Sequence, residues 1–242
     1  GEGCKKMRIL VTGSRGRAGR DVCPALENAG HTVVPFDLLS GDNIQNKEQL
    51  VRAMKGCEAV VHLAAIPWAM PAKSPEDYWD TNVAGTHNVC SAASWVGLKR
   101  VILASSTGYY GFQRGFPFVS HFGQKTYIDD MNVVQRYGVL KAELPDMDVA
   151  LNRAGVYYMV SKVGAEAALA AYALSGLVHG VVLRLAPVLD EPYEWGLRCS
   201  LERAIDTIVW AVEKDVAFPY EVYNIGELEL EMLHTWDFEQ EG

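Results

Sequence analysis

Tyr158 and Lys162 stand as Y-x-x-x-K, one helical turn apart, so on a helix their phenol and ammonium share a face and converge on one point. A phenol of pKa about 10 is a poor acid–base group at neutral pH, but a neighbouring ammonium favours the phenolate. A serine hydroxyl, here Ser106, can hold a substrate oxygen in line with such a phenolate. Together these three groups outline a hydride-transfer site. The same spacing recurs at Tyr137 and Lys141 in YGVLK, and only the setting separates the two copies. YMVSKVGAEAALAAYALSG reads as one long helix ending at Gly176, followed by the apolar strand VHGVVLRLAPV, whereas YGVLK has neither behind it.

A cofactor for that chemistry is indicated near the start of the chain. The strand MRILVTG runs into Gly13, Gly16 and Gly19 and then into a helix over 17–29 closed by Gly30. Glycines there allow a tight turn and close backbone approach, and the helix N-terminus faces a pyrophosphate. Asp37 closes the next strand, HTVVPFD, where its carboxylate would bond ribose hydroxyls and repel a 2′-phosphate. Arg15 and Arg17 in the turn pull towards NADP, since a guanidinium can pair with that phosphate. Leu38 and Leu39 follow the carboxylate, with no basic residue, so NAD is expected over NADP.

The elements that must position these groups alternate along the chain. EAVVHLAA and KRVILASS are further strands, separated by the helical SPEDYWDTNVAGTHNVCSAASWVG; the helical LERAIDTIVWAVEK precedes a last strand, EVYNIG. Such alternation predicts an α/β fold, a doubly wound parallel sheet with helices on both faces. Residues 112–143 break the rhythm where a short loop would suffice, and loops of that length tend to be lids or binding loops.

At 242 residues and 49% hydrophobic content, the chain can bury one sizeable core. No apolar run reaches the roughly 18 residues of a membrane span. GEGCKKM has no apolar stretch of a signal peptide; Gly1–Lys6 read as an appended remnant and Met7 as the natural start. The net charge of −8 argues against nucleic-acid or anionic-membrane partners. Five scattered cysteines without a C-x-x-C pair fit reduced thiols in a cytoplasm, and no metal site is expected. His62 and His87 read as core or cofactor-side residues, and Trp68, Trp79 and Trp95 as packing residues. Arg114 and Arg198 are candidates for pairing a substrate carboxylate.

These motifs resemble the short-chain dehydrogenase/reductase superfamily, in its extended, NAD-dependent epimerase/dehydratase branch, from Met7 to Gly226. The resemblance implies that TGSRGRAG is the cofactor turn, Asp42 and Ile44 in GDNI the adenine contact, and Leu63, Ala64 and Ala65 the strand end passing the ribose and pyrophosphate. It puts Asn82 of NVAGTHNV where the family keeps a structural Asn, and counts Asn82 and Pro187, after the Leu-Arg strand, among the cofactor-side residues. LASSTGYYG is similar to the family's S-S-x-x-x-Y-G, which sets the catalytic hydroxyl on Ser106; a one-residue slip would exchange it for Ser105 or Thr107. LPDMDVALNRAGVYYMVSK is similar to the approach to the family's catalytic tyrosine and selects Tyr158 over Tyr137 and Tyr157.

Two departures matter. The Asp-Glu pair of the dehydrating members is replaced by Thr107 and Gly108, and only a short segment follows Arg184 before SLERAIDTIVWAVE resumes the pattern. The expected layout is a Rossmann-type domain over 7–188, carrying the 112–143 insertion, with a reduced substrate-side region over 189–242. That layout resembles uronate-dehydrogenase-like members, which oxidise a small free sugar acid. The resemblance therefore implies an NAD-dependent dehydrogenase of a sugar-like substrate. Its alternatives are a nucleotide-sugar 4-epimerase and, from another class, a non-catalytic NAD-sensing or scaffold protein. It also implies a homodimer through the helices at 82–95 and 158–175, with Ala165, Ala168, Leu169 and Tyr172 as the apolar stripe.

Overall fold

The computed structural model describes residues 5–67, 73–107, 149–188 and 197–228. Six strands form one sheet in the order β2-β1-β3-β4-β5-β7, every pairing parallel. They are β1 (Arg8–Thr12), β2 (Thr32–Phe36), β3 (Ala59–His62), β4 (Arg100–Ser106), β5 (His179–Leu185) and β7 (Tyr220–Ile225). A small antiparallel pair joins β6 (Leu197–Arg198) to β8 (Glu227–Leu228). From β1 the chain turns one way to β2 and comes back on the other side to β3. The loops after β1 and β3 therefore diverge above the carboxyl ends of adjacent strands, leaving a crevice at that switch point.

Side chains alternate faces along each strand, and the two faces build two cores. Leu10, Val60, Val101, Leu103 and Val182 point into one with α2 (Lys47–Met54), α4 (Gly85–Val96) and α5 (Val149–Leu174). Ile9, Val11, Val61, Ile102, Val181 and Leu183 point into the other with α1 (Gly19–Asn28) and α6 (Leu201–Glu213). Strands buried on both faces read as continuous apolar runs, which is how MRILV and AVVH announce themselves. The doubly wound parallel sheet expected from the alternation is the fold observed, and β7, from beyond residue 188, supplies its last strand.

Several local readings need correction. The first helix starts at Gly19 rather than Arg17, because Gly16–Ala18 are spent on the turn. α2 went unrecognised in the sequence; the Asn46 side chain accepts a hydrogen bond from the Gln49 amide and caps it. α5 begins at Val149, ahead of the YMVSK segment. The helical stretch before β4 consists of α3 (Pro75–Tyr78), opened by a Ser74–Asp77 capping box, then a π-helical turn (Trp79–Ala84), then α4. Trp79 and Trp95 are not packing residues: they are 54% and 77% exposed. His87 is likewise exposed, with its Nδ1 3.4 Å from the Tyr172 hydroxyl. The stripe Ala165, Leu169 and Tyr172 packs within the subunit's own core, and the outward apolar face of α5 is Val160, Val163, Ala167, Ala171 and Leu174. No described helix is long and apolar enough to cross a membrane.

Candidate active site

The glycine turn sits directly against the end of β3. Gly13 has φ +70°, and a Cβ there would lie 2.7 Å from the Ala64 amide nitrogen; a Cβ on Gly19 would run into the Gly13 carbonyl. Only glycine lets these loops close together. Asp37 joins the turn to the end of β2: its Oδ2 accepts from the Arg15 amide at 2.9 Å and its Oδ1 from the Leu39 amide at 2.9 Å. Asp42 Oδ2 accepts in turn from the Asp37 amide at 3.4 Å. Arg15 and Arg17 are exposed on the turn.

Two features of this corner suit the phosphates of a dinucleotide. α1 opens at Ala18 with no side-chain cap, leaving its N-terminal dipole to an anion. Among the described residues the buried Ser14 hydroxyl has no hydrogen-bond partner, and a buried polar group of that kind calls for one. Leu63, Ala64 and Ala65 border the turn half-buried, and Pro187 is exposed beyond β5. Two residues counted on the cofactor side have side chains with structural partners, and for Asn82 this agrees with its reading as a structural Asn. Ile44 is buried against Gly85 in the core. Asn82 is buried, with Oδ1 accepting from the Ile66 amide at 2.7 Å and Nδ2 donating to the Ile66 carbonyl (3.1 Å) and Ser161 Oγ (2.8 Å). Its amide hydrogens are fully used, so Asn82 is a strut between the loop after β3 and α5.

Tyr158, Lys162 and Ser106 come together between α5 and the end of β4. The Ser106 hydroxyl stands beside the Tyr158 phenol, close enough to draw its pKa down. Lys162 Nζ lies 5.6 Å from the Tyr158 ring centroid and donates to the Ala104 carbonyl at 3.1 Å. The charge expectation reverses for the tyrosine: burial raises the phenol above its usual value, and the neighbouring Ser106 hydroxyl opposes this. Burial pushes Lys162 down to about 8, against the opposing pull of Glu166. The neighbouring candidates are occupied differently. Ser105 Oγ donates to Glu166 Oε1 at 2.5 Å, which separates its role from that of Ser106. Tyr157 lies against Tyr78, ring centroids 6.3 Å apart. Tyr137, Lys141, Arg114, Trp68 and the 112–143 segment lie outside the described residues, as does the side chain of Arg198.

Two buried polar networks surround this trio, neither anticipated from the sequence. In the first, Thr86 Oγ1 donates to the Asn82 carbonyl at 2.6 Å, so it must accept from His62 Nε2 at 3.0 Å. His62 Nδ1 is then the acceptor, and Thr12 Oγ1, which takes the Ala64 amide at 3.3 Å, donates to it at 2.7 Å. Burial first, then the Lys162 charge, holds the His62 pKa down to about 3, so the ring is neutral. In the second network, Glu166 forms a two-pronged ion pair with Arg184, Nη2 to Oε2 at 2.8 Å and Nε to Oε1 at 3.1 Å. The signal for Glu166 was its place one helical turn after Lys162. Among the described residues no group of three His, Cys, Asp or Glu side chains could hold a metal, and Cys23, Cys57, Cys90 and Cys199 are free thiols.

Comparison with known proteins follows the same lines. Residues 9–189 match the NAD dependent epimerase/dehydratase family. A UDP-glucose 4-epimerase of Klebsiella pneumoniae is 30% identical over 138 residues, 47% of this chain and 99% of that protein. The L-arabinose 1-dehydrogenase (NAD(P)(+)) of Haloferax volcanii is 33% identical over 110 residues, 41% of this chain and 41% of that protein. Several further relatives are 4-epimerases, of which the chain spans less than half the length. Among solved structures, a mutated uronate dehydrogenase shares the fold at TM-score 0.62 and 20% identity, over 91% of this chain and 74% of that one.

Proposed function

The chain belongs to the NAD-dependent epimerase/dehydratase family, and from that premise we propose that it is a dehydrogenase that oxidises a hydroxyl of a sugar acid or free sugar. The observation that carries the reading is the buried Lys162 ammonium beside the Tyr158 ring, with the Ser106 hydroxyl next to the phenol. Gly13, Gly16, Gly19 and Ser14 would take the pyrophosphate, and Asp37 the ribose hydroxyls, with Arg15 and Arg17 at the rim. NAD, when bound, supplies the hydride acceptor and a positively charged ring.

The chain's own residues manage the proton. Ser106 Oγ bonds the substrate oxygen and sets it in line with Tyr158. Tyr158 Oη, as phenolate, removes the hydroxyl proton. Burial alone holds that phenol protonated, so positive charge is needed beside it, and Lys162 is the resident source. Thr107 and Gly108 stand where dehydrating members carry their acid–base pair. The chain between Arg184 and α6 is short for gripping a nucleotide. The first argues against elimination, and the second favours a small substrate over a sugar nucleotide.

The 4-epimerases among the relatives favour a second reading, in which the same trio oxidises and then re-reduces one carbon. Incubation with NAD and, in turn, uronic acids, aldoses and UDP-sugars separates the two. Accumulating NADH with a free sugar or sugar acid supports the dehydrogenase; inversion of a UDP-sugar without NADH overturns it. NAD binding without turnover on any of them would mark a sensor or scaffold. Assembly belongs to the same proposal. The outward face of α5, with Val160 54% and Leu174 69% exposed, suits a second copy, and sedimentation showing only monomer at micromolar concentration would refute a homodimer.

A further inference from the structure

Three consecutive residues at the end of β4 are each tied to a different turn of α5. The Ala104 carbonyl accepts from Lys162 Nζ, Ser105 Oγ donates to Glu166, and the Ser106 hydroxyl faces the Tyr158 phenol. Of these ties, the one through Ser105 is the deepest: Ser105 is 5% exposed, Glu166 3% and Arg184 4%. Arg184 stands opposite Ser105 on β5, in register, and clamps the same carboxylate. A strand end held at one residue by a charged clamp cannot twist without moving the residues on either side of it.

We propose that Glu166 is a positioning residue: seated one turn after Lys162 on α5, it anchors Ser105 and Arg184 and thereby fixes how Ala104 and Ser106 face Lys162 and Tyr158. The inference rests on the reading of Tyr158, Lys162 and Ser106 as the reacting trio. Its second consequence is electrostatic. Among the described residues, the charged and titratable groups around the ammonium are Tyr158 and Glu166 of its own helix, His62 of β3 and Arg184 of β5. His62 is neutral and Tyr158 is a phenol at neutral pH. Glu166 is the negative charge that opposes burial and keeps Lys162 protonated.

The test compares Glu166→Gln and Ser105→Ala with the parent protein and reads Lys162 directly. Lysine 13Cε NMR, with the Lys162 signal assigned by its loss in Lys162→Arg, follows its titration without any substrate. Glu166→Gln removes the carboxylate that both Lys162 and Arg184 face, so the Lys162 titration should move down by about one pH unit or more. NAD affinity, titrated across the same pH range, should fail at correspondingly lower pH. Ser105→Ala keeps the charge and loses only the anchor. Its Lys162 titration should stay in place while the tyrosine Cζ resonance of Tyr158, which reports the placing of Ser106 beside it, shifts. If Glu166→Gln folds and leaves the Lys162 titration in place, or if Ser105→Ala leaves the Tyr158 resonance unmoved, the positioning role is wrong. Should Glu166→Gln fail to fold, the Ser105→Ala result decides alone. Failure of the trio itself would show separately, as full turnover by Tyr158→Phe, and would leave these spectroscopic results standing.

Discussion

The two polar networks flanking the site solve the same problem with opposite chemistry. Around His62, the groups from Thr12 to Ser161 are neutral, each donor meeting one acceptor, and the network links β1, β3, α4 and α5. Around Lys162, the interior holds an ammonium, a carboxylate and a guanidinium, linking β4, β5 and α5. A neutral network holds position and is indifferent to pH over the range in which its members do not titrate. A charged one sets position and protonation state together, at a desolvation cost that only mutual pairing offsets. The proposed chemistry falls on the charged side, because a phenol needs a nearby positive charge to act as a base.

The largest effect should come from the trio. Tyr158→Phe keeps the ring's packing and removes the proton acceptor, so steady-state turnover should fall about 10²–10⁴-fold while NAD affinity survives. Lys162→Met should lose both, and Tyr137→Phe neither. If Tyr137→Phe abolished turnover and Tyr158→Phe did not, the charged network would be the wrong one.

Next in size is the ion pair. Glu166→Gln leaves a buried guanidinium facing an uncharged amide and should cost about 3–5 kcal/mol in urea unfolding. An isosteric change in the neutral network should cost less: Thr86→Val removes a hydroxyl from the His62 ring and should cost about 1–3 kcal/mol. Equal losses would erase the contrast between the networks.

Stability against pH sharpens it further. The folded-state pKa of His62 is depressed to about 3, so its contribution is complete above the unfolded value of about 6.5 and is lost as pH falls from there towards 3. Lys162 is depressed to about 8; the folded state carries the full cost of its buried charge below that pH and is relieved of it as pH rises towards about 10.5. Replacing His62 by Gln should flatten the acid limb of the stability curve, and Lys162→Met the alkaline rise. The smallest effect concerns the cofactor. Asp37→Asn should narrow the preference for NAD over NADP by about tenfold, the worth of one charged hydrogen bond, and NADP already binding as well as NAD to the parent protein would mean that Arg15 or Arg17 dominates.

The strand–turn–helix start and the alternation that gives a parallel sheet were both legible in the sequence. These depend on local period and spacing, which survive without knowing the fold. Glycines at 13, 16 and 19 announced a turn for the same reason, since φ and close approach are properties of a few neighbouring residues. The sequence did not give the partners. Ser105 and Glu166 are 61 positions apart, Asn82 and Ser161 79, and Thr12 and His62 50. No spacing rule links residues at such distances; only the packing of α5 across β4 and the switch between β1 and β3 brings them together. The fate of α5's apolar stripe and the exposure of Trp95 were also settled in three dimensions, because a helix apolar on more than one face does not say which face the sheet will take. Residue types thus determined which chemistry was available, and tertiary structure decided which side chains are buried as charges and which as neutral struts.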